Sequence, residues 1–202
     1  EKGRARAELE IPTGKPVVTV SSPSASEVAL LAPTLERMQD YEQGYTLVVS
    51  DASEPALTTI APLVAASQGQ AVLVQTEQPS LTSLQPGLPT PVLLDRSELL
   101  ASASDAALVL DWDQSVKQSA IEIAMSGREI LTVRTEESEE ATGDTATFIQ
   151  ADTPAQVTSA LTSYAPDAAK GQGTAAFVRQ EYDEDSRVKD HRQAHLDTLP
   201  VR

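Results

Sequence analysis

The stretch Asp105–Thr135, DAALVLDWDQSVKQSAIEIAMSGREILTVRT, decides the fold. Ala106–Leu110 is a short apolar run, the mark of a strand buried on both faces. A polar segment follows, and Ser115–Met125 then spaces its apolar residues as a helix does. Gly127 ends that helix, and Ile130–Val133 reads as the next strand. Strand, loop, helix, glycine turn and strand make one βαβ unit, which needs about 30 residues.

The same alternation continues upstream. Lys15–Ser21 (KPVVTVS) is a first strand, and Ser24 with Glu27 forms a capping box before a helix carrying Val28, Leu31 and Leu35. Pro33 lies inside that helix and is expected to kink or split it. Tyr45–Val49 is a second strand, Ser53 a cap for a helix over 54–67 that contains Pro55 and Pro62, and Ala71–Val74 a third strand. Pro79, Pro86, Gly87 and Pro89 mark 76–90 as a loop, ahead of a short strand at Val92–Leu94 and a small helix from Ser97 to Ser102. Downstream, Glu136, Glu137, Glu139 and Glu140 read as a solvated loop, and Thr147–Ile149 as a weak strand. Thr153-Pro154 opens a helix reaching about Tyr164; residues 165–174 read as loose, and Ala175–Leu199 as a charged surface helix. The fold expected is α/β: a Rossmann-like, mostly parallel sheet with helices on both faces over residues 1–174, and a C-terminal helix or tail over 175–202. Ligands of such sheets bind beyond the carboxyl ends of the strands, which points to the loops near 21–26, 50–53, 95–98 and 111–119.

Composition narrows the function. Aromatic residues are only 3% of the 202, so Ala, Val, Leu and Ile must fill the core. Thirty acidic residues against fifteen basic ones give a formal charge of −15. That charge repels nucleic-acid phosphates and anionic lipid, so neither nucleic acid nor a membrane is expected as a partner of this domain alone. There is no cysteine, which removes disulfides, thiolate metal sites and a Cys nucleophile. His191 and His195 are spaced to share one helix face, but the run between them is RQA, not the HExxH frame, so no metal is expected. No apolar run approaches the roughly 18 residues of a membrane span, and the charged start EKGRARAELE is not a signal peptide; a cytoplasmic location is expected. The start at Glu1 reads as that of a piece of a longer protein. The turn after the first strand is SSPSAS, with none of the glycines of a dinucleotide-binding turn, and there is no G-x-S-x-G elbow.

The segment from Glu122 through IAMSGREILTV resembles the retaining glycosyltransferases of the two-domain GT-B fold, the group 1 class. There an A-M-A-x-G-x-P-V-V run follows a helix carrying two glutamates separated by seven residues. Gly127 matches the family glycine and Glu122 the second glutamate. In the same order, 4–22 is similar to the family's R-x-x-L-G-I-P entry to its first strand, and 95–112 to its V-x-x-x-E-L-x-x-x-Y-x-x-A-D stretch. Residues 143–161 are similar to its G-x-x-G-x-L-V-x-P-x-D-P segment, and 175–185 to its closing R-x-x-V-x-x-x-F-S-W.

The resemblance implies the donor-binding, C-terminal half of such an enzyme, with a nucleotide-diphosphate sugar as donor substrate, no separate cofactor, and an N-terminal acceptor-binding half as partner. It implies that Glu122 bonds the ribose hydroxyls and that Arg96, Ser97 and Glu98 line the base. It also implies that the helix start at Ser115, Val116 and Lys117, with Ser119 and with Ser22 across the cleft, faces sugar and phosphates. The first glutamate's position is held by Gln114, the following glycines by Ser115 and Lys117, and no Lys or Arg occurs between Lys15 and Arg37, where the family neutralises its leaving group. Lys117 is the residue placed to substitute. The lost cations favour an alternative, a catalytically degenerate module of the same fold acting as a binding or scaffolding subunit. The serine-rich turn would also suit another GT-B branch, the sugar-acid transferases acting on lipid A precursors; the pattern at 143–185 fits group 1 better.

Overall fold

The computed structural model describes residues 2–74, 96–112 and 118–182, with Arg96, Ser97, Gln118, Ser119 and Tyr182 described by backbone only. The elements run α1 (Lys2–Glu8), β1 (Val17–Ser21), α2 (Ala25–Asp40), β2 (Thr46–Ser50), α3 (Glu54–Ala66), β3 (Ala71–Val74), α4 (Arg96–Ala103), β4 (Ala106–Val109), α5 (Gln118–Met125), β5 (Glu129–Val133), α6 (Glu136–Thr142), β6 (Thr147–Ile149), α7 (Pro154–Ser163) and α8 (Ala168–Tyr182). The strands form one parallel sheet in the order β3-β2-β1-β4-β5-β6, the doubly wound Rossmann arrangement. Its order reverses between β1 and β4.

Strand residues alternate between two helical layers. Val18, Val20, Leu47, Val49, Ala106 and Leu108 pack with α2, α3 and α7. Ala107, Val109 and Ile130 face α5 and α8, while Val17, Val48 and Val74 face α1 and α4. Small branched side chains fill both layers, as the low aromatic content requires.

Two carboxylates hold β1 to β4, one at each end. At the amino end, Asp105 accepts hydrogen bonds from the Val17 N–H at 2.7 Å and the Arg6 guanidinium at 2.6 Å, and pairs with Lys2. Arg6 also donates to the carbonyls of Ala103 and Lys15, so α1 is pinned under both strands. At the carboxyl end, Glu27 is fully buried. One of its oxygens accepts the Ser24 N–H at 2.9 Å; the other accepts the N–H groups of Leu110 and Asp111 at 2.9 and 3.3 Å. The capping residue of α2 therefore also ties down the chain leaving β4.

Several elements depart from the sequence expectation. Pro33 does not split α2, which runs unbroken to Asp40. Both Pro33 and Ala29, whose carbonyl loses its partner, are on the solvent side, where water replaces the missing bond. Pro62 is likewise accommodated in α3, while Ser53 caps that helix without a side-chain bond. Residues 136–142 are a helix: the Thr135 hydroxyl takes the Ser138 N–H, and glutamates in the first turn suit the positive end of the helix dipole. Residues 168–174 are helical too, although they include Gly171 and Gly173. The helix expected from Ala175 begins at Ala168 because α8 crosses the Gly127 turn backbone to backbone. A Cβ on Gly171 would lie 2.4 Å from the Gly127 carbonyl oxygen. The loop at 76–90, the strand at 92–94 and both histidines lie outside the described residues.

Two substitutions test these supports. Gly171→Ala should destabilise the fold by about 1–3 kcal/mol, because the obstructing atom is backbone and cannot rotate away. Glu27→Ala strips the acceptor from three backbone N–H groups and should lower stability by about 3 kcal/mol in urea unfolding.

Candidate functional site

Ser21, Ser50 and Val74 end β1, β2 and β3 in register, so the sheet's carboxyl edge is level there. The chain leaves β1 and β2 through left-handed residues, Ser22 at φ 46° and Asp51 at φ 51°. Each steps sideways: the Ser22 N–H donates to the Ser50 carbonyl, and the Asp51 N–H to the Val74 carbonyl. The other described non-glycine residues with positive φ, Glu10 and Gln68, follow helices, where that conformation is ordinary. At a strand end it costs energy, and such strain gathers where ligands bind.

The switch between β1 and β4 is lined by hydroxyls and carboxylates. One oxygen of Asp111 accepts the hydroxyls of Ser24 and Ser26, at 3.0 and 2.9 Å. Three N–H groups at the start of α2 are engaged from within: that of Ser24 by Glu27, that of Glu27 by the Ser24 hydroxyl, and that of Val28 by the Ser24 carbonyl. Trp112 closes the rim as a packing residue, 8% exposed, its indole N–H on the Thr132 hydroxyl at 2.7 Å.

Of the residues expected here, Ser22 is exposed just past β1. Glu98 is exposed in the first turn of α4, which Arg96 and Ser97 open. Glu122 is half-buried on α5, where Ser119 also lies, and its carbonyl accepts the Ser126 N–H. Because α4 enters β4 and α5 leaves it, the start of each helix lies toward the carboxyl edge. Gln114, Ser115, Val116 and Lys117 lie outside the described residues. The sequence reading missed Asp111 and Ser26. A carboxylate just past a buried strand was the available signal, but its serine partners lie 87 and 85 positions away.

Among the described residues no group of three His, Cys, Asp or Glu could hold a metal ion, and no helix is long and apolar enough to cross a membrane.

No family model and no curated protein matches the chain by sequence. Solved structures do match. Sucrose-phosphate synthase from Thermosynechococcus elongatus aligns over 96% of this chain and 48% of its own, with TM-score 0.68 and 14% identity. Anabaena HepE, solved in complex with UDP and glucose, aligns over 97% of this chain and 52% of its own, with TM-score 0.66 and 12% identity. The C-terminal domain of a glycosyl transferase group 1 family protein from Francisella tularensis aligns over 90% of this chain and 92% of its own, with TM-score 0.57 and 12% identity. The chain thus spans about half the length of the first two and nearly all of an isolated C-terminal domain. Its fold is that of one Rossmann-like half of a GT-B glycosyltransferase.

Proposed function

We propose that this chain is the donor half of a glycosyltransferase, binding a nucleotide-diphosphate sugar whose glycosyl group passes to an acceptor held by a second, N-terminal half. The observation that carries the reading is the Rossmann-like half-fold of GT-B glycosyltransferases with α5, bearing Glu122, starting at the carboxyl edge of the sheet. In this reading the Glu122 carboxylate accepts the ribose hydroxyls, and the start of α4 borders the base. Lys117 carries the positive charge that the turn after β1 lacks, with Gln114 beside it. The sugar nucleotide is itself the donor, and the transfer takes no separate cofactor. The acceptor half would face the strand ends, and the work would be done in the cytoplasm.

A second reading, a module of the same fold that no longer transfers sugar and serves as a binding or scaffolding subunit, is favoured by one observation. The turn after β1 offers serine hydroxyls that bond Asp111 of the chain leaving β4, with no Lys or Arg between Lys15 and Arg37. Loss of cations facing a leaving diphosphate removes several kcal/mol of transition-state stabilisation.

Calorimetric titration with UDP, GDP and ADP separates the readings. Saturable binding of one of them, lost in Glu122→Ala, supports a donor site; no binding at millimolar nucleotide argues for the scaffold. Lys117→Ala should weaken nucleotide affinity at least about tenfold, in line with a lost charge-assisted contact, and an unchanged affinity would remove Lys117 from the site.

A further inference from the structure

We propose that the groove beside β6, at the outer edge of the sheet, is a saccharide-binding site that takes an uncharged hexose unit. It lies away from the β1–β4 switch and does not depend on the donor-site reading above. A cavity of about 500 Å³, within the range of small-ligand sites, opens between β5 and β6 on one side and α7 with the start of α8 on the other.

Its chemistry is set by Glu129, the first residue of β5 and only 4% exposed. Among the described residues every partner of its carboxylate is neutral. Oε1 accepts the Tyr164 hydroxyl at 3.2 Å and the Asp167 N–H, and Oε2 accepts the Thr147 hydroxyl at 2.9 Å. Burial, and after it the Glu129 carboxylate, raise the Tyr164 pKa above its ordinary value, so the phenol stays a donor. A carboxylate offers about four lone-pair positions, and these three bonds leave one on Oε2. A buried charge ordinarily has an ion-pair partner. None of the ion pairs among the described residues includes Glu129, and Lys170 reaches only the Thr147 hydroxyl, at 3.5 Å.

The rest of the lining decides the class of ligand. Glu129 and Asp167 repel an anion and Lys170 repels a cation, so an ion of either sign meets a like charge. A neutral polyol meets both as hydrogen-bond partners. Its hydroxyls donate to Glu129 and accept from Lys170 and from the exposed Gln150 amide. Leu131 and Ile149 give the cavity an apolar wall, which suits the C–H face of a pyranose ring.

The test is titration of the full chain, followed by NMR, with maltose, cellobiose and methyl galactoside, and with glucosamine and glucuronate as charged counterparts. Glu129→Gln keeps the side-chain shape and removes the charge, while Lys170→Ala and Gln150→Ala alter exposed side chains. Thermal melting shows which variants are folded, and the two exposed positions carry the test should Glu129→Gln not fold. The expected result is saturable binding of a neutral sugar, weakened about tenfold in Glu129→Gln and about threefold in Lys170→Ala and in Gln150→Ala. Absence of sugar binding to the wild type, tighter binding of glucosamine or glucuronate than of every neutral sugar, or binding unchanged in the folded variants overturns the proposal. None of those results bears on the donor site, which nucleotide titration tests separately.

Discussion

A buried carboxylate must find donors, and Glu27 finds them in two loops that are distant in sequence. One donor belongs to the turn that starts α2, the others to the chain leaving β4. Those two loops flank the point where the strand order reverses, the one place in such a sheet where neighbouring loops diverge and leave a crevice. The shape of that crevice thus depends on one side chain that lies wholly inside the protein. Ser22, Ser24, Ser26 and Asp111 are presented to the crevice by backbone that Glu27 holds.

The chemistry exposed there differs from what the fold usually presents. A helix N-terminus is a ready anion site only while its N–H groups are unspent. In this chain a capping box takes the N–H groups of Ser24 and Glu27, which stabilises α2, and hydroxyls and a carboxylate line the same turn. Capping and phosphate recognition draw on the same donors, so gaining one weakens the other.

Much of this architecture was legible in the sequence, because parallel strands buried on both faces are short unbroken apolar runs. KPVVTVS, YTLVV, AVLV and AALVL all proved to be strands within a residue or two. The capping box at Ser24 was legible for the same local reason. What local pattern hid was tertiary. Gly171 and Gly173 read as loop residues, yet α8 needs a residue without a Cβ at 171 to cross the Gly127 turn. Four glutamates read as solvated loop, while Thr135 and the helix dipole make them a helix. Pro33 read as a break, but a proline on the wet face leaves its orphaned carbonyl to water. Of the expected site, the positions of Ser22, Glu98 and Glu122 follow from the strand-helix order. Asp111 did not, since its partners come from the other side of the switch and no spacing rule links them.

The clamp at the opposite end of the sheet bears on how the chain is made. Arg6 and the Val17 N–H both depend on Asp105, 99 and 88 positions later. A chain emerging from the ribosome in order could pair β1, β2 and β3 early, but α1 would have nothing to dock on. Until Asp105 arrives, a cationic helix and one unpaired edge of β1 stay exposed to solvent and to neighbouring nascent chains. The net charge of −15 opposes association of such incomplete sheets through mutual repulsion until β4 pairs with β1.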